Sequence, residues 1–368
     1  MSGYAGALRR VGPIAAFGLL PAACLIELLF SELHAGIVAY DFREALLPAA
    51  KAVLHGMSPY GETTSRTLHN GTAFVYPPVV AYLFAPLALL RPLGAEIAAS
   101  AVCLASALAA LKVLGVRDWR CYGCALLWAP VLYTIHLGAV STMLTLGVAI
   151  AWRYRRSALI AGAAVGLVIA MKLFLFPLLL WLLAARRPRA AAVAAASTVA
   201  FIVVPWAAIG FAGLTTYPHV LRVLSGIEAS EGYTIPAAAA KLGGSWAFGE
   251  ALCVLAAVAC AAAVLIAGRA GNERAALTFS LGMALLLSPI VWLHYFALLL
   301  VVVALYLPRL HPLWLLPIAL FAFPITPGAA PGWEVAAALL FVVACVTLVA
   351  RAGRQTTSGA IRIEPLSA

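Results

Sequence analysis

The sequence predicts an all-α polytopic membrane protein with about twelve transmembrane helices, within a range of about ten to thirteen. The chain has 368 residues, of which 65% are hydrophobic and only 10% are charged, whereas soluble domains carry about 25% charged residues. Long apolar runs recur along the whole chain, and helices in a bilayer suit such runs because they satisfy their own backbone polar groups. The net charge of +11 lies in short basic clusters between these runs, a pattern typical of topology signals rather than of nucleic-acid binding.

Apolar runs define the predicted spans, which are 12–31, 74–90, 94–116, 121–151, 157–171, 173–185, 190–210, 247–268, 275–290, 294–308, 311–327 and 331–350. The span at 121–151 is long and is interrupted by Pro130 and Gly138. The runs 157–171 and 173–185 are shorter than the roughly 20 residues that a crossing needs. We therefore expect them to be half-helices that meet inside the bundle.

Basic residues set the predicted orientation, because cytoplasmic segments of membrane proteins are enriched in lysine and arginine. With the N-terminus in the cytoplasm, most arginines lie inside and the two long loops, 32–73 and 211–246, lie outside. Lys112, Arg117 and Arg120 would then lie on the outer side, against the rule. Either the number of spans is wrong in this region or these residues contact lipid phosphates.

One transmembrane domain is predicted over residues 1–351, followed by a short polar tail, 352–368, that we expect to be cytoplasmic and disordered. All seven cysteines lie in or beside apolar runs and are interpreted as small packing residues. Cys121 and Cys124 have metal-ligand spacing, but neither a histidine nor a second cysteine pair is nearby, so no metal site is predicted.

Asp41 is the first candidate for chemistry. It follows the first span closely, so its carboxylate should lie near the membrane surface, where it can accept a proton from a sugar hydroxyl as a general base. The structural alternative is that Asp41 caps a helix in the loop. Glu27 lies inside the first span, and an intramembrane acid is a functional candidate, although its place near the outer end is readily explained by snorkelling.

Lys172 and His294 are candidate anion-binding residues on the same predicted side. Lys172 lies between two short apolar runs, where a charge is costly unless it reaches water or an anion. His294 follows Pro289 and Trp292 at an interrupted apolar run, and an imidazole can hydrogen-bond a phosphate or a sugar hydroxyl. The alternatives are a lysine that snorkels to the interface and an aromatic belt with an incidental histidine.

The second outer loop is rich in polar residues, which could form an acceptor groove or a solvated loop: Tyr217, His219, Arg222, Glu228, Glu231, Tyr233 and Lys241. The chain contains no Walker motif, glycine-rich nucleotide loop, DxD pair or HExxH motif. The lack of a nucleotide-sugar signature favours a lipid-linked donor.

Together these motifs resemble glycosyltransferase family 87, whose members use polyprenyl-phosphate sugars and have the C-type glycosyltransferase fold. The resemblance covers roughly residues 35–310 and rests on Asp41-Phe42, Gly56 with Ser58-Pro59-Tyr60 and Tyr76-Pro77-Pro78, Lys172 with Pro177, and Ser288-Pro289 with Trp292 and His294. The sequence departs from the family pattern at Ala139, where a glutamine is frequent, and at Tyr295, where a second histidine is common.

The resemblance implies an inverting transfer of a sugar, mannose first, from polyprenyl monophosphate to a glycolipid or polysaccharide acceptor. The reaction would take place at the outer face of the plasma membrane, without a cofactor or metal. Asp41 would be the catalytic base. The donor phosphate would contact Lys172, His294, Arg43 and Arg66, and the substrates would contact Tyr60, Tyr76, Trp292 and Glu44.

Two other functions remain open. A transporter or lipid flippase shares many spans and broken helices, although it usually has internal repeats, which the sequence lacks. The departures from the family pattern also leave room for an inactive structural partner in envelope synthesis.

Overall fold

The computed structural model describes residues 11–60, 64–69, 72–324 and 328–361, and this part of the chain is helical without strands. Its α-helices are Leu20–Ala35, Leu47–Leu54, Ser65–His69, Pro78–Phe84, Pro92–Val113, Trp119–Leu126, Ala129–Leu137, Ser141–Arg153, Ala158–Met171, Leu178–Ala184, Pro188–Ala208, Tyr217–Glu228, Ile235–Lys241, Trp246–Arg269, Glu273–Leu287, Leu299–Tyr306 and Gly332–Ile361. Ala15–Leu19 and Phe42–Leu46 are π-helical, and the 3₁₀ segments are Leu87–Leu89, Leu173–Leu175, Leu293–Leu298 and Pro312–Ala322. The predicted all-α class is confirmed.

Within these ranges, 5 helices are long and apolar enough to cross a membrane: Val11–Ala35, Pro92–Val113, Pro188–Ala208, Trp246–Arg269 and Gly332–Arg354. Ala129–Leu137 and Ser141–Arg153 qualify together but are bent by 118°. The protein is therefore a multi-pass membrane protein, and the total of about twelve crossings stays a prediction. Arg9, Arg10 and residues 362–368 lie outside the described residues, and the last helix includes the first part of the predicted tail.

The bend between Ala129–Leu137 and Ser141–Arg153 lies at Gly138, one of the two positions where the sequence predicted an interruption. Gly138 has a φ of +64°, in the left-handed region that favours glycine. Pro130 marks the earlier interruption. It lies in the first turn of Ala129–Leu137, directly after Trp128, where the backbone is extended. Both interruptions are thus present, and they divide the predicted span into separate helices.

Ala158–Met171 and the apolar segment after it correspond to the two predicted half-helices, and Lys172 separates them with extended backbone. Ala158–Met171 packs closely on Pro188–Ala208 through Gly162 and Gly166. A Cβ at Gly162 would lie 2.7 Å from the Ala190 carbonyl oxygen, and one at Gly166 would lie 2.8 Å from that of Ala194. This contact between small residues is typical of membrane helices and holds the helix that ends at Lys172.

The predicted crossing at 74–90 is wrong. Its helix, Pro78–Phe84, has only 7 residues, or about 10 Å of length at 1.5 Å per residue, too short for the roughly 30 Å hydrocarbon core. Hydropathy alone suggested a span because the segment is apolar throughout, yet it packs inside the protein, where Val80, Ala81 and Phe84 are buried.

Without a crossing at 74–90, the helix Pro92–Val113 runs in the direction opposite to the one that the sequence predicted. The first half of this helix lies near the Gly138 bend, since the Ser100 hydroxyl donates to the Ile135 carbonyl oxygen at 3.0 Å. Its far end leads to Leu114, which lines a cavity with Arg155 and Glu273 at the other end of the molecule.

Lys112, Arg117 and Arg120 therefore lie at the end of the molecule that carries the other arginine clusters. The neighbouring Asp118 ties this segment to that end, because its carboxylate accepts the Leu310 backbone N–H at 3.1 Å. The sequence analysis had placed these basic residues at the end opposite the other arginine clusters, and the structure groups them together. Of the two explanations, this grouping favours an error in the predicted spans. We call this end of the molecule the arginine end.

Cysteine labelling tests the revised path. A cysteine replacing exposed Met57 should react with a membrane-impermeant maleimide in intact cells, whereas one replacing exposed Arg117 should react only after the membrane is opened. The native cysteines are buried or half-buried, so the unmodified protein provides the background. Labelling of both positions from the same side would show that residues 74–90 do cross the membrane.

Candidate active site

A cavity of about 760 Å³ lies at the end of the molecule opposite the arginine end. Asp41, Lys172 and His294, which are far apart in the sequence, all line it, together with Tyr76 and Trp292. We call this space the Asp41 cavity. Its walls come from the segments 40–46, 73–77, 172–174, 217–231 and 288–295.

Asp41 lies at the start of the helical segment that follows the first span. The next turn, Phe42–Leu46, is π-helical, a wider turn that occurs frequently at functional sites. Phe42 is fully buried, and Gly138 lies directly against it: a Cβ on Gly138 would be 2.8 Å from the Cβ atoms of both Ala39 and Phe42. The bend at Gly138 therefore supports the backbone on both sides of Asp41.

The environment of Asp41 makes its carboxylate a stronger base than an ordinary aspartate. Asp41 lies beyond the end of the first span, and burial raises its pKa to about 6. The positive charges of Lys172 and His136 act in the opposite direction and lower it. His136 is itself held by Glu32, with 2.7 Å between His136 Nδ1 and a Glu32 carboxylate oxygen. Asp41 can thus be ionised near neutral pH and still bind a proton readily.

Lys172 presents an ammonium group between aromatic rings. Its Nζ donates a hydrogen bond to the Tyr295 hydroxyl at 2.6 Å and lies 4.3 Å from the centre of the Tyr76 ring and 4.8 Å from that of Tyr295. Cation–π contacts stabilise the charge without neutralising it. Among the described residues, no carboxylate forms a salt bridge with Lys172. The ammonium can therefore receive an anionic oxygen in the cavity.

His294 lines the same cavity with a buried ring. Its Nδ1 is buried and has no hydrogen-bond partner in the described part of the chain. The ring packs edge-on against Tyr295, with 4.9 Å between ring centres. A buried nitrogen without a partner is costly, which makes this ring an unusual component of the cavity wall.

The remaining predicted site residues divide into two groups. Tyr76 and Trp292 line the cavity, whereas Tyr60 lies behind its wall and donates its hydroxyl proton to the Tyr76 carbonyl oxygen at 2.8 Å. Arg43 and Glu44 pair with each other at 2.8 Å and do not line the cavity. Arg66 is exposed and is not among the described residues that line the cavity, whereas Leu68 of the same short helix is.

Tyr295 was missed as a site residue, although it adjoins His294 and holds Lys172. The sequence analysis named Tyr295 only as a departure from the family pattern, and no hydrophobic periodicity distinguishes it as a site residue.

Tyr217–Glu228 was treated as a mixed polar loop, yet one face of this helix lines the cavity through Tyr217, Leu221, Leu224, Ser225 and Glu228. Their spacing follows the helical period, a signal that was present in the sequence.

These features define a multi-pass membrane protein with a proton acceptor and an unneutralised cation in one partly apolar cavity. The sequence profile of glycosyltransferase family 87 matches residues 74–293, which is more than half of the chain, and the protein belongs to that family. It is therefore a membrane glycosyltransferase. No curated protein and no solved structure matches the chain.

The matched region contains Tyr76, Lys172 and Trp292. Asp41 lies before it and His294 directly after it. The family match thus supports the class of enzyme, while the structure alone relates these two residues to the matched core.

Replacing Gly138 with alanine should destabilise the protein and reduce its activity. An L-residue in the left-handed region costs about 1–2 kcal/mol, and the clash with Ala39 and Phe42 adds about 1–3 kcal/mol. A shift of the Asp41 backbone should also lower turnover per folded molecule by about tenfold to a hundredfold.

The matched control is Gly210→Ala, since Gly210 has a φ of +63° but open space around its Cβ position. It should show only the smaller loss of stability, with activity intact. Melting temperature and turnover in detergent measure both effects, and equal behaviour of the two variants would contradict the role of the bend.

Proposed function

We propose that the Asp41 cavity is the active site of an inverting glycosyltransferase. The donor is a sugar, mannose first, on polyprenyl monophosphate, and the acceptor is a hydroxyl of a glycolipid or polysaccharide. One observation carries the proposal: a carboxylate with a raised pKa, an ammonium group without a salt bridge among the described residues and an imidazole ring line the same cavity.

In the proposed reaction, the acceptor oxygen attacks the anomeric carbon from the face opposite the phosphate. Asp41 takes the acceptor proton as the new carbon–oxygen bond forms, and the bond between the anomeric carbon and the phosphate oxygen breaks. The bonding electron pair leaves with the polyprenyl phosphate. Because a single displacement takes place, the configuration at the anomeric carbon is inverted.

Lys172 and His294 are suited to the departing phosphate. Negative charge accumulates on the leaving oxygen as the bond breaks, and preorganised donors at that position stabilise the transition state. The ammonium of Lys172 provides a fixed charge, and His294 provides a hydrogen bond. A cationic side chain can neutralise a monophosphate, so the proposed step requires no metal.

An apolar route for the lipid chain adjoins the phosphate position. Leu173 lines the cavity directly after Lys172 and is 39% exposed. Phe176, one turn further along, is 47% exposed. A polyprenyl chain could lie along these side chains and enter the bilayer while its phosphate contacts Lys172.

The charge distribution supports an extracytoplasmic active site. The basic clusters gather at the arginine end, which the positive-inside rule assigns to the cytoplasm. The Asp41 cavity lies at the opposite end, with the two long loops. We therefore place it on the outer face of the plasma membrane, where a lipid-linked sugar donor would be available without nucleotides.

Asp41→Asn should reduce turnover by about 10²–10⁴, the usual contribution of general-base catalysis. Asparagine keeps the size of the side chain but cannot accept the proton. The melting temperature and the binding of a polyprenyl-phosphate sugar should change little, because Asp41 is proposed to contact the acceptor. Sugar transfer by purified protein measures the loss.

Glu44→Gln is the companion variant, since Glu44 is the next acid of the same segment but pairs with Arg43 outside the cavity. It should retain turnover. Wild-type turnover should fall as the pH drops through about 6, because only ionised Asp41 acts as a base. Near-full activity of Asp41→Asn would reject the assignment, and no transfer by the wild type with any candidate donor would favour the flippase or structural partner.

Lys172→Met should lower kcat/KM for the lipid donor by about 10²–10³, the effect of removing one transition-state donor. Lys112→Met provides the matched control, since Lys112 is exposed and lies at the arginine end. Steady-state kinetics with varied donor would separate the two variants. Equal kinetics for Lys172→Met and wild type would remove Lys172 from the phosphate site.

A further inference from the structure

A second cavity, of about 850 Å³, lies at the arginine end. Five arginines line it: Arg155, Arg156, Arg187, Arg274 and Arg354. Glu273 is the only acid among the described residues of its lining. Five guanidinium groups thus face one carboxylate, which leaves a surplus of four positive charges around one space. We call it the arginine cavity.

Glu273 holds two of these arginines in fixed positions. One of its carboxylate oxygens accepts from Arg155 Nε at 2.8 Å, and the other accepts from Arg187 Nη2 at 2.7 Å. Arg187 also donates to the Arg155 carbonyl oxygen at 2.6 Å, and the Arg155 guanidinium lies 4.3 Å from the Trp152 ring centre. The carboxylate therefore orients both groups but neutralises only one charge.

Several donors in the arginine cavity remain unused. Arg187 Nε is buried and lacks a hydrogen-bond partner in the described part of the chain. Arg156 and Arg274 are exposed and form no salt bridge with any described residue. Guanidinium groups carry donors in a planar fork that matches phosphate oxygens. The exposed guanidinium groups of Arg156 and Arg274, which line the same cavity as Arg187, are complementary to an anion.

Topology alone does not account for this convergence. The positive-inside rule requires arginines near the membrane on one side, but it does not require them to share a cavity. Arg153 and Arg269 satisfy the rule at the same end without lining the cavity. The cavity arginines differ from them by their shared space and, for two of them, their shared carboxylate.

The arginine cavity is distinct from the active site. Ala158–Met171 begins beside Arg155 and Arg156 and ends at Lys172, so its 14 residues separate the two cavities by about 21 Å. Leu293–Tyr306 likewise begins at the Asp41 cavity and ends at Tyr306 in the arginine cavity.

We propose that the arginine cavity binds a phosphate group, supplied either by an anionic lipid headgroup or by free phosphate. Apolar residues, including Leu114, Ala304 and Leu305, form part of its wall and suit the upper acyl chain of a lipid. The proposal does not depend on the sugar-transfer reaction.

The test uses the full chain carrying Lys172→Met, so that the proposed donor-phosphate site does not contribute. In this background, Arg156→Gln/Arg274→Gln removes two cavity charges but leaves the Glu273 network intact. Arg153→Gln/Arg269→Gln removes two charges at the same end outside the cavity and is the matched control. The probes are inorganic phosphate, added to protein in neutral detergent, and nanodiscs of phosphatidylcholine with or without phosphatidylglycerol.

Thermal unfolding gives the readout, because a ligand that binds the folded state raises the melting temperature according to its affinity. The control should be stabilised by at least one probe, and the cavity variant should bind that probe about tenfold more weakly or worse. Stabilisation by phosphatidylglycerol alone would identify a lipid headgroup, and stabilisation by inorganic phosphate would identify a free anion. Equal responses of the two variants, or no stabilisation of the control by either probe, would overturn the proposal.

Discussion

The contact of Gly138 with Ala39 and Phe42 is the constraint on which the site depends. In a bilayer, backbone groups must be satisfied inside helices, so irregular backbone is tolerated only where protein or a water-filled cavity surrounds it. The chain is interrupted at Gly138, at Lys172 and before His294, and each interruption lies at the Asp41 cavity. Broken helices of this kind place polar groups where continuous helices would present only apolar side chains. The site is therefore formed largely where the helices are incomplete.

Aromatic residues surround the ammonium group of Lys172 in this cavity. Lys172 contacts the faces of Tyr76 and Tyr295 and donates to a phenolic oxygen. A carboxylate partner would have cancelled its charge, whereas the rings stabilise it and leave it available. The hydroxyl of Tyr295 gives Lys172 a hydrogen-bond acceptor in place of a carboxylate.

Charge is distributed unequally between the two ends of the molecule. The Asp41 cavity is lined by three acids, Asp41, Glu228 and Glu231, beside Lys172 and His294, whereas the arginine cavity has a surplus of positive charge. Ala158–Met171 connects them and packs tightly against Pro188–Ala208 at Gly162 and Gly166. Both proposed ligands carry phosphate, but one cavity pairs its cation with a base for chemistry and the other has guanidinium groups for binding only.

Sequence alone determined the class, because composition and long apolar runs require a membrane. It also singled out Asp41, Lys172 and His294 as candidates, from polar residues at the end of a span or at breaks in apolar segments, and the structure brings these three residues to one cavity. It also located the interruptions at Pro130 and Gly138. It failed at 74–90, since hydropathy measures how apolar a segment is and not whether protein or lipid surrounds it. Only the tertiary structure decided that Tyr295 holds Lys172, that Arg43 and Glu44 pair away from the cavity, and that scattered arginines share one space. These are contacts between residues far apart in the chain or choices of side-chain direction, which packing determines and local sequence does not encode.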